Sequence, residues 1–189
     1  MRHKQSQTVS TIAIFFAVML VIHFVSSTIF NVLPVPIKPT LIHIPVIIAS
    51  ILYGPCIGAS LGALMGIISV VTNTVIRLPT SYLFSPFVEN GNVYSLVIAM
   101  VPRILIGITP YYIYKLWPSK PGTFLAGAIG SLTNTVFVLG GIFILFANVY
   151  NGDIQKLLAV VIGTNSVAEM LISAFFTGLA VPRLSRLRK

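Results

Sequence analysis

Long apolar runs separated by short polar segments form the main pattern along the chain. In approximate bounds, the runs cover residues 9–30, 41–52, 57–75, 93–114, 124–149 and 157–181. A membrane-spanning helix needs about twenty mostly apolar residues, since each residue rises about 1.5 Å through a hydrocarbon core of about 30 Å. The pattern predicts an all-α integral membrane protein with six transmembrane helices, in which residues 1–189 form a single transmembrane domain.

The run at 41–52 fits a spanning helix least well. It is short, and it contains Pro45, which cannot donate a backbone hydrogen bond. A re-entrant segment is the alternative interpretation of this run.

The composition agrees with lipid as the main solvent. Of the 189 residues, 56% are hydrophobic and only 8% are charged, whereas a soluble domain is about 25% charged. This balance excludes a soluble enzyme, a nucleic-acid-binding domain and a disordered tail. The single cysteine, Cys56, excludes an internal disulfide. The sequence contains neither a P-loop nor a His-Glu-x-x-His motif, so no motif of this kind points to an enzyme or a bound cofactor.

The distribution of lysine and arginine predicts the orientation of the chain. With six spans both termini lie on one side, and that side receives most basic residues: Arg2, Lys4, Lys115, Lys120, Arg183, Arg186, Arg188 and Lys189. The other side receives Lys38, Arg77 and Lys156. Because cytoplasmic segments are enriched in basic residues, both termini are predicted to be cytoplasmic.

Arg103 lies inside the fourth predicted span and belongs to neither surface. It is about ten residues into that span, or about 15 Å deep, and a central arginine costs about 2.5–3.5 kcal/mol on insertion scales. It must therefore face the protein interior and find a partner. Glu169, at similar depth in the sixth span, is one candidate. A ligand carboxylate held by the guanidinium fork is the other.

Three similar polar tripeptides recur within the predicted spans: Thr72-Asn73-Thr74, Thr133-Asn134-Thr135 and Thr164-Asn165-Ser166. Their depths are compatible with that of Arg103, and together these groups predict one polar binding site. The alternative is that each asparagine only joins helices, since hydrogen bonds of Asn, Ser and Thr between membrane helices contribute about 0.6–2 kcal/mol.

The outer connections, 31–40, 76–92 and 150–153, are longer than the cytoplasmic ones and are candidate lids over that site. Plain connectors are the alternative. Four aromatic residues cluster around the second connection, and they suit either an interfacial belt or a lid: Tyr82, Phe84, Phe87 and Tyr94. His43 follows the first connection and is a candidate ligand contact or a hydrogen-bonded wall residue.

Small residues mark surfaces where helices approach closely. Gly58, Gly62 and Gly66 form a continuous Gly-xxx-Gly-xxx-Gly ridge on the third span. Ala13 and Ala17 lie four residues apart on the first span. Alone, an Ala-xxx-Ala pair is often only internal packing.

Together these features resemble the substrate-binding S components of energy-coupling factor (ECF) vitamin transporters. The resemblance covers essentially the whole chain and includes the six spans, the Ala13-xxx-Ala17 pair, LIHIPVII at 41–48 and LYGP at 52–55. It implies a subunit of a bacterial cell membrane that works with a T component and two ATPase subunits and topples to carry a vitamin inward. It also implies that Ala13 and Ala17 contact the T component, and we expect the glycine ridge to contribute to that surface.

Five motifs resemble the subgroup assigned to pantothenate: TNT at 72–74, FSPF at 84–87, VPRILIG at 101–107, GSLTNT at 130–135 and GTN at 163–165. Because pantothenate is an anion, Arg103 is expected to hold its carboxylate. Asn134 and Asn165, with Asn73 in support, are expected to bond its amide and hydroxyls.

Other vitamins fit the chain less well. The sixth span lacks the Asn-then-Lys pattern usual for riboflavin, and the only tryptophan, Trp117, lies on the cytoplasmic side, unlike those of thiamine binders. Glu169 keeps pyridoxine or a hydroxymethylpyrimidine as alternatives. A stand-alone secondary carrier, a small channel and a purely structural membrane subunit are alternatives from other classes. The expected ligand contacts are Arg103, Asn134, Asn165, Asn73, Glu169, His43, Tyr94 and Phe84.

Overall fold

The computed structural model describes residues 2–32, 40–78, 80–146 and 152–187, and every regular element in these ranges is helical. The α-helices are α1 (Arg2–Val32), α2 (His43–Tyr53), α3 (Pro55–Val75), α4 (Val93–Ile106), α5 (Thr109–Leu116), α6 (Lys120–Leu145) and α7 (Gly152–Leu187). Among the described residues, five helical segments are long and apolar enough to cross a membrane, and α2 is a shorter apolar helix. The chain is a multi-pass membrane protein, and this set of helices fits the six predicted spans.

The connections on the predicted outer side are described unequally. Residues 33–39 of the first connection lie outside the described residues, as do 147–151, which include the end of the fifth predicted span and the start of the third connection. Their role as lids stays a prediction. The second connection is described except for position 79, and it contains a 3₁₀ turn at Ser81–Leu83.

The shortest predicted span is the central helix of the bundle. α2 has 11 residues and is about 16 Å long, which is shorter than the hydrocarbon core. Its first nine residues, 43–51, are all buried, and it contacts all six other α-helices. Because protein surrounds its backbone, α2 does not need the length of a lipid-facing helix. Pro45 is tolerated because it lies in the first helical turn.

The fourth predicted span consists of two helices. α4 ends at Ile106 and α5 begins at Thr109, with a turn at Gly107 and Ile108 between them. Pro110 cannot donate to the Ile106 carbonyl, so the regular hydrogen-bond ladder is interrupted here. Hydropathy does not show this break, because the residues on both sides of it are apolar.

The glycine ridge of α3 lies inside the protein, which corrects the expectation that it forms part of a surface for the T component. Gly58, Gly62 and Gly66 are all buried. A Cβ on any of them would overlap atoms of α4 or of the turn after it, at Gly107, Arg103 and Met100 respectively. The ridge therefore brings the backbones of α3 and α4 into direct contact and supports α4 at the level of Arg103.

α1 lies at the edge of the bundle and packs mainly on α2 and α3. Ala13 and Ala17 are exposed on its outer face, and so are the neighbouring Ile14, Val18 and Val21. An apolar surface of this kind faces lipid or another protein. The contact of Ala13 and Ala17 with a T component stays a prediction.

Candidate functional site

A polar cavity of about 220 Å³ lies among α4, α6, α7 and the second outer connection. It brings together five of the predicted site residues. The complete set of lining residues is Thr40, Thr80, Leu83, Phe84, Arg103, Asn134, Thr135, Val138, Asn165 and Glu169. One basic and one acidic side chain therefore face the same small space, surrounded by amides and hydroxyls.

Arg103 is the strongest donor of this cavity and is only 9% exposed. Its Nη1 donates to the carbonyl oxygen of Ile98 at 2.8 Å. The Phe84 ring lies on one side of the guanidinium, with 5.1 Å between Cζ and the ring centroid, which is a cation–π contact. Nε is buried and has no hydrogen-bond partner within the described part of the chain. Arg103 therefore keeps donor capacity that a ligand can use.

Glu169 is the acidic residue of the cavity, and it is buried, with 7% of its surface exposed. Its Oε1 accepts a hydrogen bond of 2.6 Å from the backbone N–H of Thr40. It is close enough to Arg103 for electrostatic attraction, but across the ranges that the structure describes the two side chains form no direct ion pair. The structural salt bridge considered from the sequence is therefore not formed here, and both side chains line the cavity separately.

The second outer connection holds Phe84 in place. The hydroxyl of Thr74 at the end of α3 bonds the Ser85 hydroxyl at 2.7 Å, and the Ser95 hydroxyl of α4 donates to the Tyr82 carbonyl. Leu83 is fully buried between these anchors. The connection is thus folded onto the bundle, which fixes the aromatic wall beside Arg103.

α6 and α7 supply the amide side of the cavity. The hydroxyls of Thr135 and Ser166 bond at 2.6 Å and join the two helices beside Asn134 and Asn165. Asn134 Oδ1 is buried and has no hydrogen-bond partner among the residues described. An unsatisfied buried acceptor costs about 1–3 kcal/mol, so a ligand N–H or O–H at this position would be stabilised.

Asn73 belongs to a neighbouring chamber of about 270 Å³. This chamber also contains His23 and Thr72, and it shares the side chains of Phe84 and Arg103 with the first cavity. The Asn73 amide donates to the Ser69 carbonyl at 2.8 Å, within its own helix. Asn73 therefore lines a different chamber from Asn134 and Asn165, and Arg103 lines both chambers.

His43 and Tyr94 do not line either chamber, which corrects their predicted position at the site. His43 is 1% exposed, and its Nε2 bonds the Ser173 hydroxyl at 2.6 Å, which joins α2 to α7. Tyr94 is 51% exposed at the start of α4, a position that suits an interfacial aromatic residue. Depth along a helix is readable from sequence, but the face that a side chain occupies is not.

Several lining residues were not singled out from the sequence. Thr40 and Thr80 come from connections, where no periodic pattern predicts the position of a side chain. Val138 lies four residues after Asn134 on α6, and this spacing places both on one helix face. The helical spacing was the one signal that pointed to Val138.

Comparison with known proteins identifies the family of this chain. A family model described as ECF transporter, substrate-specific component, matches residues 7–184. Over 193 aligned residues the chain is 42% identical to the pantothenic acid transporter PanT of Lactococcus lactis subsp. cremoris (strain MG1363), with 100% of this chain and 98% of that protein covered. The chain belongs to the family of substrate-specific components of ECF transporters.

Proposed function

We propose that this chain binds pantothenate and delivers it inward as the S component of an ECF importer in a bacterial cell membrane. The observation that carries the proposal is the buried Arg103 at the wall of a small polar cavity. The similarity to a pantothenic acid transporter along the whole chain supports the same ligand.

The polar groups of the cavity match those of pantothenate. Its carboxylate bonds Arg103, because a buried guanidinium with an unpartnered Nε stabilises one anionic group. Its amide N–H and hydroxyls are donors, and Asn134 Oδ1 and the Glu169 carboxylate are the acceptors that face them. Asn165 and Thr135 line the same cavity and carry groups that can donate to its amide carbonyl. The two chambers that meet at Arg103 together suit a small ligand, for which sites of about 300–1,000 Å³ are usual.

The surface of α1 provides the contact with the rest of the transporter in this proposal. Ala13 and Ala17 are exposed and small, so a helix of the T component packs closely against them. Two ATPase subunits drive the T component, and both termini of this chain lie on their side, in the cytoplasm. The binding cavity opens toward the outer side.

A binding titration on purified protein tests the ligand. Pantothenate, pyridoxine and riboflavin are compared by calorimetry on the same preparation. Binding of pantothenate alone is expected. Binding of pyridoxine or another neutral heterocycle without pantothenate would contradict the proposal and would move the main contact from Arg103 to Glu169. A chain that binds none of the three would favour a different ligand class.

A further inference from the structure

Pro102 lies inside α4, directly before Arg103. In an α-helix the N–H of residue 102 donates to the carbonyl of residue 98. Proline has no N–H, and its ring pushes that carbonyl aside. The carbonyl of Ile98 therefore loses its helical donor. Ile98 is 1% exposed, so neither water nor a lipid headgroup replaces that donor.

Arg103 supplies the missing hydrogen bond. Its Nη1 donates to the Ile98 carbonyl at 2.8 Å. Helical side chains lean toward the N-terminus of their helix, so the long side chain of Arg103 runs back along α4 to the turn that contains Ile98. One end of the guanidinium is bound to the backbone, and the group stays at the wall shared by the two chambers.

We propose that Pro102 is a positioning residue for ligand binding. It frees the Ile98 carbonyl, and that carbonyl fixes the guanidinium of Arg103 in the orientation that receives an anion. A side chain that is ordered before binding loses less entropy when the ligand arrives. The anchor also keeps the guanidinium from turning fully to the Glu169 carboxylate, which attracts it and would compete with a ligand carboxylate.

The substitution Pro102→Ala tests this role. The new backbone N–H at position 102 pairs with the Ile98 carbonyl, and Arg103 loses its acceptor. The affinity for pantothenate should fall by about fivefold to thirtyfold. The affinity for pantothenol, in which a neutral alcohol replaces the carboxylate, should not change. The apparent melting temperature should stay equal or rise, since alanine is the better helix former.

Pro182→Ala is the matched control, because Pro182 also lies inside a helix but lines neither chamber. It should leave the affinities for both ligands unchanged. An equal loss for pantothenate and pantothenol in Pro102→Ala would show that Pro102 only shapes the helix. An unchanged pantothenate affinity would equally overturn the proposal.

A second measurement needs no ligand, whereas the titration rests on the proposed function. The chain has six arginines, and the signals of Arg103 in ¹⁵N-arginine spectra are assigned by their loss in Arg103→Lys. In the parent chain the two Nη groups should give separate signals, because the bond to Ile98 hinders rotation about the Nε–Cζ bond. In Pro102→Ala these signals should merge. If they merge while the parent chain does not bind pantothenate, the ligand assignment fails and the positioning role stands. If they stay separate, the positioning role fails.

Discussion

The α3–α4 contact and the α6–α7 contact both bring helices close together, but they do so for different purposes. Along α3 the small residues are glycines, and atoms of α4 and of the turn after it occupy the space where their side chains would lie. Between α6 and α7 the contact includes a hydroxyl pair, Thr135 and Ser166, with Asn134 and Asn165 beside it on the cavity wall. The first contact is steric. The second is polar, and the buried Asn134 Oδ1 beside it has no hydrogen-bond partner among the described residues. The proposed ligand site therefore lies at the polar contact, and the glycine contact supports α4, which carries Arg103.

Among the substitutions that test this comparison, loss of the Arg103 guanidinium should have the largest effect on pantothenate affinity. Arg103→Gln should weaken pantothenate binding by about 30-fold to several thousand-fold, the range for truncating one partner of a buried charge pair. The protein should still fold, because a neutral amide costs less to bury than a charged guanidinium. Calorimetry on the purified variant measures the loss.

The control for this variant is Arg77→Gln, which removes an exposed arginine that lines neither chamber. It should bind pantothenate like the parent chain. If Arg103→Gln prevents folding and a second change, Glu169→Gln, restores it, then Arg103 serves the internal charge balance and not the ligand.

The exposed face of α1 gives the second test, and it separates transport from binding. Ala13→Leu with Ala17→Leu should stop pantothenate uptake in cells that also express the T component and the ATPases. The titration of the purified variant should be unchanged, because neither residue lines a chamber. Loss of binding in this variant would show that the two alanines serve packing within the chain. Ile14→Val, on the same exposed face, controls for a general effect on α1.

The glycine contact should show the smallest effect on affinity and a clear effect on stability. Gly62→Ala places a Cβ against the carbonyl of Arg103, and overpacking of this kind costs about 1–3 kcal/mol. Thermal unfolding in detergent should show a lower melting temperature. Pantothenate affinity should fall modestly, since α4 shifts where Arg103 is attached.

Gly140→Ala in α6 is the control for this change. A Cβ at that position meets nothing within 4 Å, and alanine favours the helix by about 1 kcal/mol. Its melting temperature should equal or exceed that of the parent chain. If Gly140→Ala lowered the melting temperature as much as Gly62→Ala does, the loss of stability would not come from close packing between α3 and α4.

For the candidate site, the sequence predicted which charged side chains are buried better than it predicted how the helices pack against each other. Arg103 and Glu169 had to face the interior because lipid excludes charge, and Asn134 and Asn165 followed at matching depth. The same logic could not say that Asn73 faces a second chamber, or that His43 points to Ser173. Those outcomes depend on the rotation of α3 and α2 about their axes.

The fold was predicted to a similar extent. Six apolar runs predicted six spans, because the thickness of the bilayer sets a length that can be counted. The seven α-helices of the described residues fit this number, since α4 and α5 together form the fourth span. The break at Gly107 and the packing of the α3 ridge on α4 depend on two distant backbones meeting. A contact of this kind does not change the hydrophobic periodicity of either segment, so the sequence does not reveal it.

The buried position of α2 has a consequence for biosynthesis. A helix of 11 residues is too short to leave the translocon and remain alone in lipid, where about twenty residues are needed. It is joined to α3 through Gly54, whose φ of 99° permits a tight reversal, and α3 is long enough to cross. We expect α2 and α3 to enter the membrane together as a hairpin. If α3 entered without α2, the number of crossings would be odd and the C-terminus would lie on the side opposite to the predicted one. The topology of every later span therefore depends on α2 and α3 entering together.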